Sequence, residues 1–191
     1  MQNTGEEIAG AYLKGCLGCD FLEFNLQTPD VQGEIDVVGV DVKRKVLYVC
    51  EVATHPVTGL MYVNPKTKQP DNVERLVKKF TKDIAYAKKY FADYQHVFML
   101  WSPVVRQSAP TAKHNQTADV ADITSRISSE NGIKILLVVN EKYQRCLDAL
   151  REYAAGETKE LKSPVLRLMQ IEEKLKKHLS RRSNGRGPAS E

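Results

Sequence analysis

Residues 33–54, GEIDVVGVDVKRKVLYVCEVAT, hold two β-branched runs, 34–42 and 46–52, on either side of Lys43-Arg44-Lys45. Runs of this kind around a short basic triplet specify a hairpin with a solvated turn. A turn centred between Lys43 and Arg44 fixes an antiparallel register with Asp36 opposite Glu51. Side chains alternate along a strand, so Glu34, Asp36, Val38 and Val40 share one face, and Val49, Glu51 and Ala53 share the facing one. Two acids that meet across strands repel. In a half-buried place such a pair holds a proton or recruits a cation, and oxygen-only donors favour Mg²⁺ over zinc. Ordinary hairpins also carry solvated acids. Here each acid sits inside an apolar run, Ile35-Asp36-Val37-Val38 and Val49-Cys50-Glu51-Val52, which makes a merely solubilising charge less expected and a functional one more so.

Three short motifs occur in order: Gly5-Glu6-Glu7-Ile8-Ala9 with Tyr12-Leu13, then Gly33-Glu34-Ile35-Asp36, then Cys50-Glu51-Val52-Ala53. In these motifs the chain resembles the PD-(D/E)XK nuclease superfamily, and within it the YraN-like and Holliday-junction-resolvase-like branch. The likeness covers residues 3–100 and, more weakly, the elements up to 156. It implies a restriction-endonuclease-like three-layer α/β/α fold with a mixed sheet of about five strands, and metal-dependent hydrolysis of DNA phosphodiester bonds with Mg²⁺ or Mn²⁺. Carried over from the family, Asp36 and Glu51, with the main-chain carbonyl of Val52, hold one ion, and Glu6 on the first helix holds a second or orients a water. The chain departs from the pattern at the family's E-x-K lysine, which falls on Ala53. That lysine is assigned to activating water and stabilising charge on the phosphate. Its loss keeps open an alternative, a catalytically inactive nuclease-fold module that binds DNA or a protein partner.

A replacement cation can come from the following helix. Residues 71–91 carry Val73, Leu76, Val77, Phe80, Ile84, Ala87 and Phe91 at helical spacing, an apolar stripe facing a core. With Phe80 at its centre, Lys78, Lys82 and Lys89 fall on the solvated side and Lys79 and Lys88 at the edges. An edge lysine can lay its stem along the core and present its ammonium to the sheet, which makes Lys79 the first candidate, ahead of Lys82 and Lys88. The competing expectation is that all five are surface charges. His55, just past Ala53, is a further proton-handling candidate of low weight.

The remaining chain sets the frame. At 191 residues one domain with a real core suffices. A formal charge of +4 permits a nucleic-acid partner, DNA first and RNA second, without demanding one. No apolar run is long enough for a membrane and MQNTGEE lacks a signal pattern, so the expected location is cytoplasmic. The lone Cys16-x-x-Cys19 pair does not complete a zinc spacing with Cys50, Cys146 and the histidines, and reads as thiols at a helix end.

The order of elements is α/β. A first helix is capped by Asn3 or Thr4, with Glu6 and Glu7 where its dipole favours acids. A strand at 21–26, the hairpin and the helix at 71–91 follow. Between the last two, 56–69 is a long connection in which Tyr62, Lys66 and Lys68 are candidates for base stacking and phosphate contact, with Lys78 and Lys82 from the helix. A strand at 96–101, a helix at 118–130, a buried strand at 133–139 and a helix at 141–155 complete a body spanning 1–156. Residues 157–182 form a helical appendage with an apolar side and a basic end, suited to packing on the body or to a homodimer. Residues 183–191 have almost nothing to bury and are expected to be disordered.

Overall fold

The computed structural model describes residues 3–28, 33–109 and 114–184. Helix α1 (Thr4–Gly15) begins at Asn3, whose side chain accepts from the N–H groups of Gly5 and Glu6 while Glu6 Oε2 accepts from the Asn3 N–H at 3.0 Å. This reciprocal capping box satisfies donors that a helix start otherwise leaves unpaired. Strands β1 (Phe21–Gln27), β2 (Glu34–Asp41) and β3 (Val46–Val52) follow as an antiparallel meander. The chain then crosses over through α2 (Asn72–Tyr90) to β4 (Gln95–Ser102) and through α3 (Gln116–Asn131) to β5 (Leu136–Val139), each strand parallel to its predecessor. Helices α4 (Glu141–Gly156) and α5 (Pro164–Asn184) complete it. The sheet order is β1-β2-β3-β4-β5, so the expected α/β fold with a mixed five-stranded sheet and a C-terminal helix is present.

Alternation along the central strands builds two cores. Val38, Leu47, Val49, Ala53, Phe98 and Leu100 pack against Leu76, Val77, Phe80 and Ile84 of α2 and Val120, Ile123 and Ile127 of α3. Val37, Tyr48, Cys50, Met99 and Trp101 face the other way, toward Ala9 and Leu13 of α1 and Tyr143 and Cys146 of α4. Helices on both faces of the sheet make the three-layer sandwich. Helix α5 lies outside it, with Leu166 and Met169 in a third cluster with Ala11, Leu150 and Ala154.

Two expectations shift. The apolar run at 133–139 yields a strand only from Leu136, because the chain leaves α3 through Gly132 at φ +67° and its first residues bring Ile133 and Ile135 across the core rim before they reach β4. Helix α5 runs through Ser183 and Asn184, two residues into the tail expected to be disordered; the rest of that tail lies outside the described residues. The appendage is joined to the body, since Leu166 and Met169 pack on Ala11, Leu150 and Ala154, Ser163 donates to Glu7 and Lys174 donates to the Ala155 carbonyl. Among the described residues no helix is long and apolar enough to cross a membrane.

Phe80 is fully buried where α2 meets the sheet. Phe80→Ala is expected to lower unfolding free energy by about 3–5 kcal/mol, measured by urea denaturation with an unchanged m-value.

Candidate active site

The hairpin register is the expected one, but its ladder stops at Val37 opposite Cys50, one pair before Asp36 and Glu51. There the strands part. The Val52 N–H is taken by Asp36 Oδ2 at 2.7 Å, so a side chain replaces the partner backbone and satisfies a buried donor. On its other edge β3 stays paired with β4 through Val52 and Trp101. The fork leaves Asp36 and Glu51 buried together at one end of β2 and β3.

Lys79 of α2 closes the fork. Its Nζ lies 3.0 Å from Asp36 Oδ1 and also forms an ion pair with Glu51 Oε2. Burial works against the ammonium, yet the carboxylates of Glu51 and Asp36 hold its pKa above the ordinary lysine value. A third acid completes the group. Asp83, one turn further along α2, is buried as well, and its Oδ2 and Glu51 Oε1 have no hydrogen-bond partner among the described residues. Desolvation drives the Glu51 pKa well up, with Asp36 and Asp83 adding to it. Desolvation likewise raises Asp83 to about 7. Of the two expected outcomes for paired acids, the recruited cation is present as Lys79, and burial favours a held proton on Glu51 or Asp83 as well.

Asp36 and Lys79 open onto a cavity of about 630 Å³ lined also by Asn3, Glu6, Thr54, His55, Tyr62 and Arg75, among others. Helix α1 reaches it because Gly5 packs directly on the Thr54 side chain, leaving no space for a Cβ. Glu6 lines the cavity with its carboxylate already engaged, accepting from Asn3 and, at 3.3 Å, from Asn25 Nδ2. The long connection after β3 is held down by two buried amides. Asn72 accepts from the Tyr62 N–H and donates to the Leu60 carbonyl; Gln116 accepts from the Leu60 N–H and donates to the Thr58 carbonyl. His55 and Tyr62 thereby meet edge to face, with ring centroids 5.5 Å apart.

The other expected residues are spread around this centre. Lys78 and Lys82 flank Lys79 on an adjoining groove lined also by Arg75 and by the acids Asp71 and Glu74. Lys66 and Lys68 are exposed on the connection and line neither space, and Lys88 is exposed further along α2. The C-x-x-C cysteines are unpaired thiols at the end of α1, Cys16 exposed and Cys19 buried, with burial raising the Cys19 pKa to about 11.

Sequence reasoning passed over Asp83 and Arg75. Both were reachable, because residues four apart share a helix face and the two stand one turn to either side of Lys79. Among the described residues no group of three or more His, Cys, Asp or Glu side chains is arranged to hold a metal ion. Compared with protein-family models, curated proteins and solved structures, the chain matches none.

The proton held by Asp83 has a measurable signature. Its folded pKa of about 7 exceeds the unfolded value of roughly 3.9. Between those pH values the folded state keeps a proton the unfolded chain has released, so this group makes stability fall as pH rises. Asp83→Asn is expected to lose that fall, gaining on wild type from pH 4 to pH 8 by about 1.4 kcal/mol per unit of raised pKa. Urea denaturation of both proteins at several pH values measures the difference; a constant difference would rule out the held proton.

Proposed function

We propose that the protein is a metal-dependent nuclease hydrolysing DNA phosphodiester bonds, with Asp36, Glu51 and Lys79 at its centre and Mg²⁺ or Mn²⁺ as cofactor. The observation that carries this reading is the position of Lys79, between the two strand acids. It supplies from α2 the charge that the resemblance leads one to seek at Ala53, and Ala53 itself is buried beside the α2 core.

The donor set suits a hard ion. Asp36 and Glu51 converge on one point of positive charge, and Glu51 Oε1 and Asp83 Oδ2 are buried acceptors with no hydrogen-bond partner among the described residues. The Val52 carbonyl and Glu6 are the further oxygens the reading assigns. A bound ion would polarise the phosphate and lower the pKa of its water. Lys79 stabilises charge that develops on the phosphate oxygens, Asp36 holds β3 in place through the Val52 N–H, and Tyr62, Lys78 and Lys82 line the approach, with Lys66 and Lys68 further out. A cytoplasmic site of action accords with four unpaired cysteines. RNA is the second substrate to test. A second copy as partner rests on Leu168, Ile171, Leu175 and Leu179, exposed along α5.

A second reading, a nuclease-fold module that grips DNA or a protein without cutting, is favoured by the lack of a three-ligand cluster among the described residues and by the direct ion pairs of Lys79 with both strand acids.

Supercoiled, linear, branched and single-stranded DNA, and RNA, incubated with Mg²⁺ or Mn²⁺ separate the two. Cleavage by wild type is expected to disappear in a folded Asp36→Ala protein and to fall about 10²–10³-fold in Lys79→Ala. No cleavage by wild type in any condition would leave the binding module. Ala53→Lys, introduced into Lys79→Ala, is expected to recover part of the loss, because position 53 lies on the Glu51 face of β3; equal rates with and without it would reject a migrated lysine.

A further inference from the structure

Arg75 is the cation of this region with an organised position and no acidic partner. Its guanidinium carbon lies 4.4 Å from the centre of the Tyr62 ring, and no ion pair or hydrogen bond to its side chain is present among the described residues. The neighbouring acid Glu74 is turned away to Arg126. Tyr62 is itself fixed, packed against the main core on one side and edge to face with His55 on another, and its backbone N–H is bound by Asn72 at 2.6 Å. The aromatic ring expected to receive a base thus serves as a shelf for an arginine. A guanidinium held over a ring face keeps N–H groups available, and arginine pre-placed in this way grips a phosphate with less loss of freedom.

Position completes the case. Arg75 stands four residues before Lys79, so their side chains are neighbours along α2, with Cβ atoms about 5–6 Å apart, and both line the cavity that contains Asp36. Arg75 also borders the groove carrying Lys78 and Lys82. One face therefore presents a lysine neutralised by two acids and, one turn away, an arginine with its charge available.

We propose that Arg75, seated on Tyr62 beside His55, is the phosphate-binding subsite of this cavity and holds a backbone phosphate of a nucleic-acid strand next to the Lys79 centre. The assignment rests on the nucleic-acid reading above but not on cleavage. It divides the positive charge of α2 by task. Lys79 balances the buried acids and serves the reacting phosphate, and Arg75 holds the backbone phosphate beside it.

The test is binding of a fluorescent single-stranded DNA oligonucleotide in EDTA over a range of salt concentrations, using the full chain, with circular dichroism to confirm folding. Arg75→Gln is expected to weaken binding about tenfold and to make the slope of log K against log salt shallower by about 0.7, the loss of one phosphate contact. Arg75→Lys should keep the slope and lose part of the affinity. Tyr62→Leu should weaken binding with the arginine intact, and Lys134→Gln, an exposed cation on the link to β5, should change neither affinity nor slope by a comparable amount. Equal affinity and slope in wild type and Arg75→Gln would overturn the subsite and leave the nuclease reading standing. Loss of binding in Arg75→Gln by a wild type that never cleaves would uphold the subsite and remove the catalytic claim. A wild type that binds no strand at any salt overturns the subsite, and its own cleavage assay then decides the nuclease reading.

Discussion

The ion pairs of Lys79 with Asp36 and Glu51 are the interaction on which the rest of this site depends. Two acids at the end of a hairpin would repel each other and drive β2 and β3 apart or toward water. A lysine entering from the crossover helix turns the same pair into a buried, charge-compensated cluster. Such clusters are expensive to desolvate and contribute little net stability; removing one partner leaves an uncompensated charge inside the protein. Geometry of this kind fixes arrangement. The Lys79 ammonium ties α2 to the open end of the β2–β3 fork.

The charge balance also explains Asp83. Three carboxyls and one ammonium cannot all be ionised in so dry a place, and the deficit falls on the Glu51 and Asp83 pair. Burial raises both, with each other's charge and that of Asp36 as lesser causes for Glu51. Asp36 is treated differently by its surroundings. It accepts from a backbone N–H and from Lys79, so its negative charge is satisfied at both oxygens.

What could be read from the sequence follows from the range of the forces involved. The hairpin register was legible because a turn and a period of two fix it locally. The edge position of Lys79 was legible because an apolar stripe with Phe80 at its centre defines a helix face. The early end of the β2–β3 ladder was not, since it depends on Asp36 replacing backbone as the acceptor for Val52, a choice made only when the strands are side by side. The short β5 was hidden for a related reason: Ile133 and Ile135 are as apolar as the strand that follows, and only the direction of the chain leaving Gly132 separates core filling from sheet pairing. Arg75 was hidden because its role comes from Tyr62, which reaches it through a connection whose shape is set by Asn72 and Gln116. Those amides bind backbone far away in sequence, and nothing in their own neighbourhoods marks them.

Position 53 then has a physical explanation. Ala53 has 1% exposure and lies in the cluster that α2 and α3 form with the sheet, on the same face as Glu51 and so beneath the helix that delivers Lys79. A long cationic side chain at that place and Lys79 from above would compete for the same two carboxylates, and one ammonium would be left buried without a partner. A small residue at 53 lets α2 approach, and the close approach of α2 is what brings Lys79 to the acids. Seen this way the alanine is part of the arrangement that seats the lysine. The same approach sets Arg75 one turn along, lining the cavity and exposed to solvent, while Lys79 is paired with the acids.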